Sequence, residues 1–247
     1  MKLDSWQWLL LCAGAFFSGL SKTGIAGLGV LPVALFANAL PARESTGALL
    51  PLLLFGDLFG VAFFRKHASW PHLWRLFPWV AAGVVTGYFA LDHVSNDQVR
   101  RIIGVILVAM VAVHMWRQRQ PEGAADRIPH TLWFAAVTGF LAGFTTMVAN
   151  AAGPVTSLYL LAVGLPKLGF VGTGAWFFML VNTFKVPFSL KLGLITAASL
   201  HVDAWLILPM IPGALLGPVL LKRLNQQTFD WMVLILTIAA AGRLLLT

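Results

Sequence analysis

"SGLSKTGIAGLG", Ser18 to Gly29, sets a single lysine, Lys22, among glycines inside a long run of otherwise apolar residues. The acidic residues that flank it in sequence are as distant as Asp4 and Glu44. The apolar block around it extends over residues 6–38. As one helix such a block would measure about 50 Å, against a hydrocarbon layer of about 30 Å. Its weak, glycine-rich centre is therefore read as a break in the helix, and Lys22 sits in that break.

The rest of the chain supports a membrane setting. Of 247 residues, 59% are hydrophobic and 11% charged, with a mean hydropathy of +0.83, far from the mix of a soluble domain. At roughly 20 residues per span there is room for about eight crossings. No polar stretch is long enough for a separate soluble domain, so residues 1–247 read as one membrane domain. The net charge of +8 comes from 17 Lys and Arg scattered among short loops. That spread fits a topology signal and excludes a nucleic-acid surface. Cys12 stands alone, so neither an internal disulfide nor a cysteine metal site is available. The start, "MKLDSWQWLLLCAGAFFSGLSK", has the charge-then-apolar order of a signal peptide, but the apolar pattern runs on past Lys22. It is read as an uncleaved first membrane segment.

Apolar blocks fall at 6–38, 45–64, 73–91, 99–116, 131–163, 168–190, 203–221 and 228–246. The first and fifth are both overlong, and both have a weak centre, "SKTGIAGLG" and "TTMVANAAGP". The halves align in order: Gly19 and Gly29 fall on Gly143 and Gly153, "TGALLPLLLFGDLFG" from Thr46 on "TGAWFFMLVNTFKVP" from Thr173, and "GVVTG" from Gly83 on "GALLG" from Gly213. This gives repeat 1 over 6–116, repeat 2 over 131–246 and an inter-repeat loop at 117–130. Internal repeats with discontinuous helices in matching positions are the signature of secondary transporters. Broken backbone at membrane depth is tolerated only where protein packs on it or it lines a wet cavity, so the two breaks point inward. If each broken segment crosses once, the repeats are parallel. If it dips in and returns as a hairpin of two arms of about 15 residues, each half has three full spans and the repeats are inverted. Division into such arms favours the hairpin. In both schemes the loops carrying Arg65, Lys66, Arg75, Arg117, Arg119 and Arg127 are cytoplasmic.

Polar groups at membrane depth cost about 2.5–3.5 kcal/mol on insertion scales, so each needs a reason. The candidates are Lys22, Asp57, Asn150, Asn182 and Lys185, with the hydroxyls of Ser18, Ser21, Thr23, Thr145, Thr146 and Thr183. Lys22, with Thr23 and Gly24 after it, stands where a half-helix N-terminus would offer free N–H groups to an anion. The alternative is that Lys22 snorkels to an interface. "GLSKTG" is a poor P-loop, lacking the glycine before the lysine, and nucleotide binding is discounted. Asn182 and Lys185 are three apart and share a helix face. Under the repeat alignment Asp57 falls opposite Phe184, beside Lys185, so Asp57 and Lys185 are expected to pair across the central axis. That pair reads either as a structural clamp or as a coupling device in which the carboxylate exchanges lysine for a proton. Asn150, with Gly153 and Pro154 beyond it, either caps the second arm or hydrogen-bonds substrate. Thr145 and Thr146 align with Ser21 and Lys22, making the site asymmetric.

The tryptophans near block ends (Trp6, Trp8, Trp70, Trp74, Trp116, Trp133, Trp205, Trp231) fit aromatic belts. The histidines at 67, 72, 93, 114, 130 and 201 show no metal spacing, and no serine, histidine and acid form a hydrolytic set.

"GLSKTGIAGLGVLPVALF", its degenerate copy "GFTTMVANAAGPVTSLYLL" and "NTFK" together resemble the TauE/SafE family of sulfite and organosulfonate exporters, over nearly the whole chain. That resemblance implies export of a small anion, with a proton as coupling ion. The sequence thus reads as an all-α polytopic protein of a bacterial-type inner membrane, in contact with lipid and a small anionic substrate, without cofactor, metal or nucleic acid. Lys22, Thr23, Gly24, Thr145, Thr146, Asn150, Asn182 and Lys185 are its candidate substrate-binding residues, and Asp57 is its coupling residue. The rival readings are a passive anion channel, a non-transporting membrane scaffold, and an embedded enzyme, which lacks the needed acid, base and nucleophile cluster.

Overall fold

In the computed structural model, which describes residues 3–91 and 132–246, the run 6–38 breaks where its glycines cluster. Helix α1 (Ser5–Thr23) stops at Gly24, a 3₁₀ turn covers Ala26–Gly29, and α2 (Val30–Ala39) follows. The chain then forms α3 (Ala42–Phe64) and α4 (Trp70–Ala90). The second half opens with α5 (Leu132–Ala149) and α6 (Ala152–Ala162), separated at Asn150, and continues as α7 (Lys167–Lys191), α8 (Ala197–Arg223) and α9 (Gln226–Leu246). Every regular element among the described residues is helical. Block 99–116, the 117–130 loop, Trp116 and the histidines at 93, 114 and 130 lie outside them.

Local chemistry explains the boundaries. Pro41 precedes α3, and Pro71 occupies the first turn of α4, where its missing N–H is harmless. Thr196 and Ser199 cap α8 reciprocally at 3.1 Å each way. Asn150 ends α5 in the left-handed region, φ 52°, which asparagine tolerates better than most residues.

Both broken segments fold back on themselves. Gln7, early in α1, donates to the Ala39 carbonyl at the end of α2 at 2.7 Å. Phe134, early in α5, stacks on Tyr159 late in α6 with centroids 5.6 Å apart. The arms are unequal, 19 and 10 residues in the first hairpin and 18 and 11 in the second, where equal arms of about 15 were expected. The breaks lie beyond the midpoint because the glycines and Asn150 lie there. Three helical stretches, Glu44–His67, Leu132–Ala149 and Ala197–Arg223, are long and apolar enough to cross a membrane.

Two apolar clusters hold the helices. One joins Leu11 and Ala15 of α1, Phe36 of α2, and Leu49 of α3 to Leu206 and Met210 of α8. The other joins Ala142 and Met147 of α5, Val155 and Tyr159 of α6, and Val181 of α7 to Leu76 and Val80 of α4. In each, a hairpin and the helix after it are closed by a helix from the other half of the chain. Backbones touch at those closures: a β-carbon on Gly19 would stand 2.3 Å from the Met210 carbonyl oxygen, and one on Gly143 would stand 2.1 Å from that of Val80. Small residues permit this approach between membrane helices. Large apolar side chains lie on the surface, while a few charged ones lie inside. Leu208, Leu215, Trp133 and Trp205 are exposed, whereas Asp57 and Lys185 are buried.

Candidate functional site

The break after α1 puts Lys22 in that helix's last turn, against α3. Gly56 makes room for it: a β-carbon there would stand 3.1 Å from Lys22 Cγ. The lysine stem reaches along α3 to Asp57, with Nζ 2.7 Å from Oδ1. Asp57 is fully buried, and Asn182 on α7 donates to its Oδ2 at 2.7 Å. The Lys22 ammonium also lies 4.1 Å from the centroid of Phe178, one turn before Asn182. A buried ion pair is stable only when further hydrogen bonds satisfy the remaining lone pairs, and Asn182 supplies one.

A second cation stands nearby with different company. Lys185, one turn beyond Asn182 on α7, is 1% exposed. It donates to Asn150 Oδ1 at 2.6 Å and to Thr146 Oγ1 at 3.1 Å. Asn150 Nδ2 donates in turn to the Thr46 carbonyl of α3 at 3.0 Å. The expected Asp57–Lys185 pair is therefore replaced: Lys22 takes the carboxylate, and Lys185 has neutral hydrogen-bond partners. Matching Asp57 to Phe184 suggested that α3 and α7 face each other, but it said nothing of the α1 terminus that comes between them.

These groups surround a cavity of about 50 Å³ whose wall includes Lys22, Thr146, Asn150 and Asn182. That is room for a few waters or a small ion. Gly29, from the first break, and Gly153, from the second, both line it. A β-carbon on Gly153 would meet nothing within 4 Å, so backbone there is open to the cavity.

Thr23, Gly24 and Thr145 lie outside the cavity lining. Thr23 donates to the Gly19 and Ala214 carbonyls at 3.0 and 2.8 Å, fastening α1 to α8. Gly24 packs on α8 as well, where its β-carbon would stand 2.5 Å from the Gly217 carbonyl oxygen. Thr145 donates to Ala142 within its own helix at 3.2 Å. Asn150 ends α5 through its backbone, while its side chain bridges Thr46 and Lys185. Thr183 is exposed and Ser18 is buried. His72 lies 3.1 Å from the Tyr159 hydroxyl, and no metal-binding group of side chains occurs among the described residues.

Sequence reasoning passed over Phe178 and the cavity-lining Thr156 and Ser157. Helical spacing contained both signals: Phe178 is four before Asn182, and Thr156 and Ser157 are three and four beyond Gly153.

A family model described as Sulfite exporter TauE/SafE matches residues 10–244, nearly the whole chain and both breaks. The chain belongs to the TauE/SafE family. No curated protein and no solved structure matches it. TauE/SafE membership makes it a membrane transporter of the sulfite-exporter type, with a small anion as substrate, and sets it among transporters and not enzymes.

Proposed function

We propose that this TauE/SafE protein is a secondary exporter of sulfite, another sulfur oxyanion or a small organosulfonate or carboxylate. The anion is held in the cavity between the two helix breaks, and access alternates between two inverted repeats. The observation that carries this reading is the meeting of both breaks at one cavity, with Lys22 in its wall and Lys185 behind it on neutral partners. Two ammonium groups and one carboxylate leave the cluster one positive charge in excess. In a medium of low dielectric constant that charge acts over several ångströms, and an entering anion is its natural counterion.

The repeat reading draws support from the helix contacts. Gly19 and Gly143, matched in the two halves, are the points at which α1 meets α8 and α5 meets α4. The hairpins return each broken segment to the side it entered, which inverts one half relative to the other. Multi-pass insertion in a bacterial-type inner membrane is part of the same proposal, supported by helices long and apolar enough to cross a membrane.

Coupling centres on Asp57. An anion that draws Lys22 away leaves the carboxylate with Asn182 alone, and a proton then replaces the lost cation. One anion and one proton would move together.

The test is flux in proteoliposomes of the purified chain with sulfite, thiosulfate, sulfoacetate and lactate, with and without a pH gradient. Saturable flux of at least one sulfur anion, accelerated by the gradient, is expected. Flux at single-channel rates without response to the gradient would establish a channel, and flux of none would end the anion-transport reading.

A further inference from the structure

Among the described residues two buried hydroxyls, Ser18 Oγ and Thr156 Oγ1, have no hydrogen-bond partner, and of the two Thr156 stands in the cavity wall. Threonines in membrane helices commonly return their proton to a carbonyl one turn back. Thr23, Thr138 and Thr145 all do so here, at 3.0, 2.6 and 3.2 Å. Thr156, in the second turn of α6, does not. It is 3% exposed, its Oγ1 has no hydrogen-bond partner, and it lines the cavity together with Gly153 and Leu160 on the same face of α6.

The N-terminus of α6 adds to this. Ala151 occupies the cap position with no side-chain hydrogen bond, and Pro154 lacks an N–H. The helix therefore presents the N–H groups of its first turn, and the positive end of its dipole, with no side-chain acceptor of its own. Thr146, across the break, accepts from Lys185 and so keeps its own hydroxyl proton to donate. This side of the cavity thus offers hydroxyl and N–H donors and no carboxylate.

We propose that Thr156 is a specificity-determining residue which donates its hydroxyl hydrogen bond to an oxygen of the transported anion. The ligand is an oxyanion, since donors on α1, α5 and α6 are satisfied together by several acceptor oxygens and not by a single-atom anion. This rests on the anion-transport reading and adds to it a residue that contacts the anion. A buried hydroxyl without a protein partner carries a desolvation cost that an acceptor oxygen of the anion would offset.

Thr156→Val keeps the shape and removes the hydroxyl, and Thr156→Ser keeps the hydroxyl. Binding of sulfite, methanesulfonate and bromide to the purified full chain in nanodiscs is compared with thermal unfolding, with and without each anion. Thr156→Val is expected to unfold at the wild-type temperature or above when no anion is present, because no protein hydrogen bond is lost. It is expected to bind sulfite and methanesulfonate about tenfold more weakly, the factor of one hydrogen bond to a charged group. Bromide binding should change by less than about threefold, and Thr156→Ser should restore oxyanion binding. Wild-type affinity in Thr156→Val would overturn the role of Thr156 while leaving anion transport standing. Lower stability of Thr156→Val without anion would overturn it too, by revealing a protein partner. Failure of the wild type to bind any of the three would overturn both readings.

Discussion

The two sides of the cavity solve the same problem differently. On the α1 and α3 side a buried cation faces a buried anion, and Lys22 with Asp57 is neutral as a unit. On the α5 and α7 side Thr146 and Lys185 meet, and the cation has an amide and a hydroxyl in place of a carboxylate. The difference divides two lysines that were both expected to hold the anion. Lys22 touches the cavity but is already paired, whereas Lys185 lies behind the wall and supplies the unbalanced charge. In the proposed mechanism, attraction for an anion would come from the second half, and a charge exchangeable for a proton from the first.

Breaking the paired side has the largest expected effect. Lys22→Ala strands a buried carboxylate and should lower stability by about 3–5 kcal/mol, the cost of opening a buried pair. Lys22→Met combined with Asp57→Leu should recover most of it, since an apolar replacement of a whole pair is often neutral. Denaturant unfolding in detergent micelles measures both, and equal stability of the single and double variants would contradict the pairing. Lys185→Met comes next. It removes two hydrogen bonds from a cation but leaves no ion stranded, so a loss of about 1–3 kcal/mol is expected. Sulfite binding should fall by more than the stability change accounts for. If Lys185→Met binds sulfite like the wild type, the assignment of attraction to the second half is wrong.

Asn150 divides its own contribution between backbone and side chain. Asn150→Gly and Asn150→Ala both lose the bridge from Thr46 to Lys185, but alanine must also hold the left-handed conformation, at about 1–2 kcal/mol. The glycine variant should melt above the alanine variant. A second buried acid provides the smallest change and a contrast to Asp57: both carboxylate oxygens of Asp203 on α8 lack a hydrogen-bond partner. Asp203→Leu should leave the melting temperature unchanged or raise it, while a marked fall would mean that Asp203 is held by a partner.

Hydropathy placed α3, α4, α7 and α9 within three residues of their observed limits and began α8 six residues late, because long apolar runs between prolines and polar caps leave few alternatives. Both breaks were legible too, since no single helix of 33 residues fits a bilayer. The pairing of polar groups was not. Asp57 and Lys22 are separated by an arm, a turn and half a helix, and whether they meet depends on how closely α1 lies against Gly56. Thr23 and Gly24 adjoin Lys22 in sequence yet face α8, because successive residues on a helix point about 100° apart. A motif read as one unit is divided by the helix between a cavity and a seam.

That seam has a bearing on how the protein is made. The Thr23 hydroxyl bonds to a carbonyl 191 residues further along the chain. The first hairpin therefore enters the bilayer long before α8 exists to cover it, and its broken backbone has to be shielded meanwhile by lipid headgroups, water or an insertion chaperone. Synthesis of the last third of the chain is what closes the first third, so a truncation before α8 should leave a full-length first hairpin that never acquires its native position.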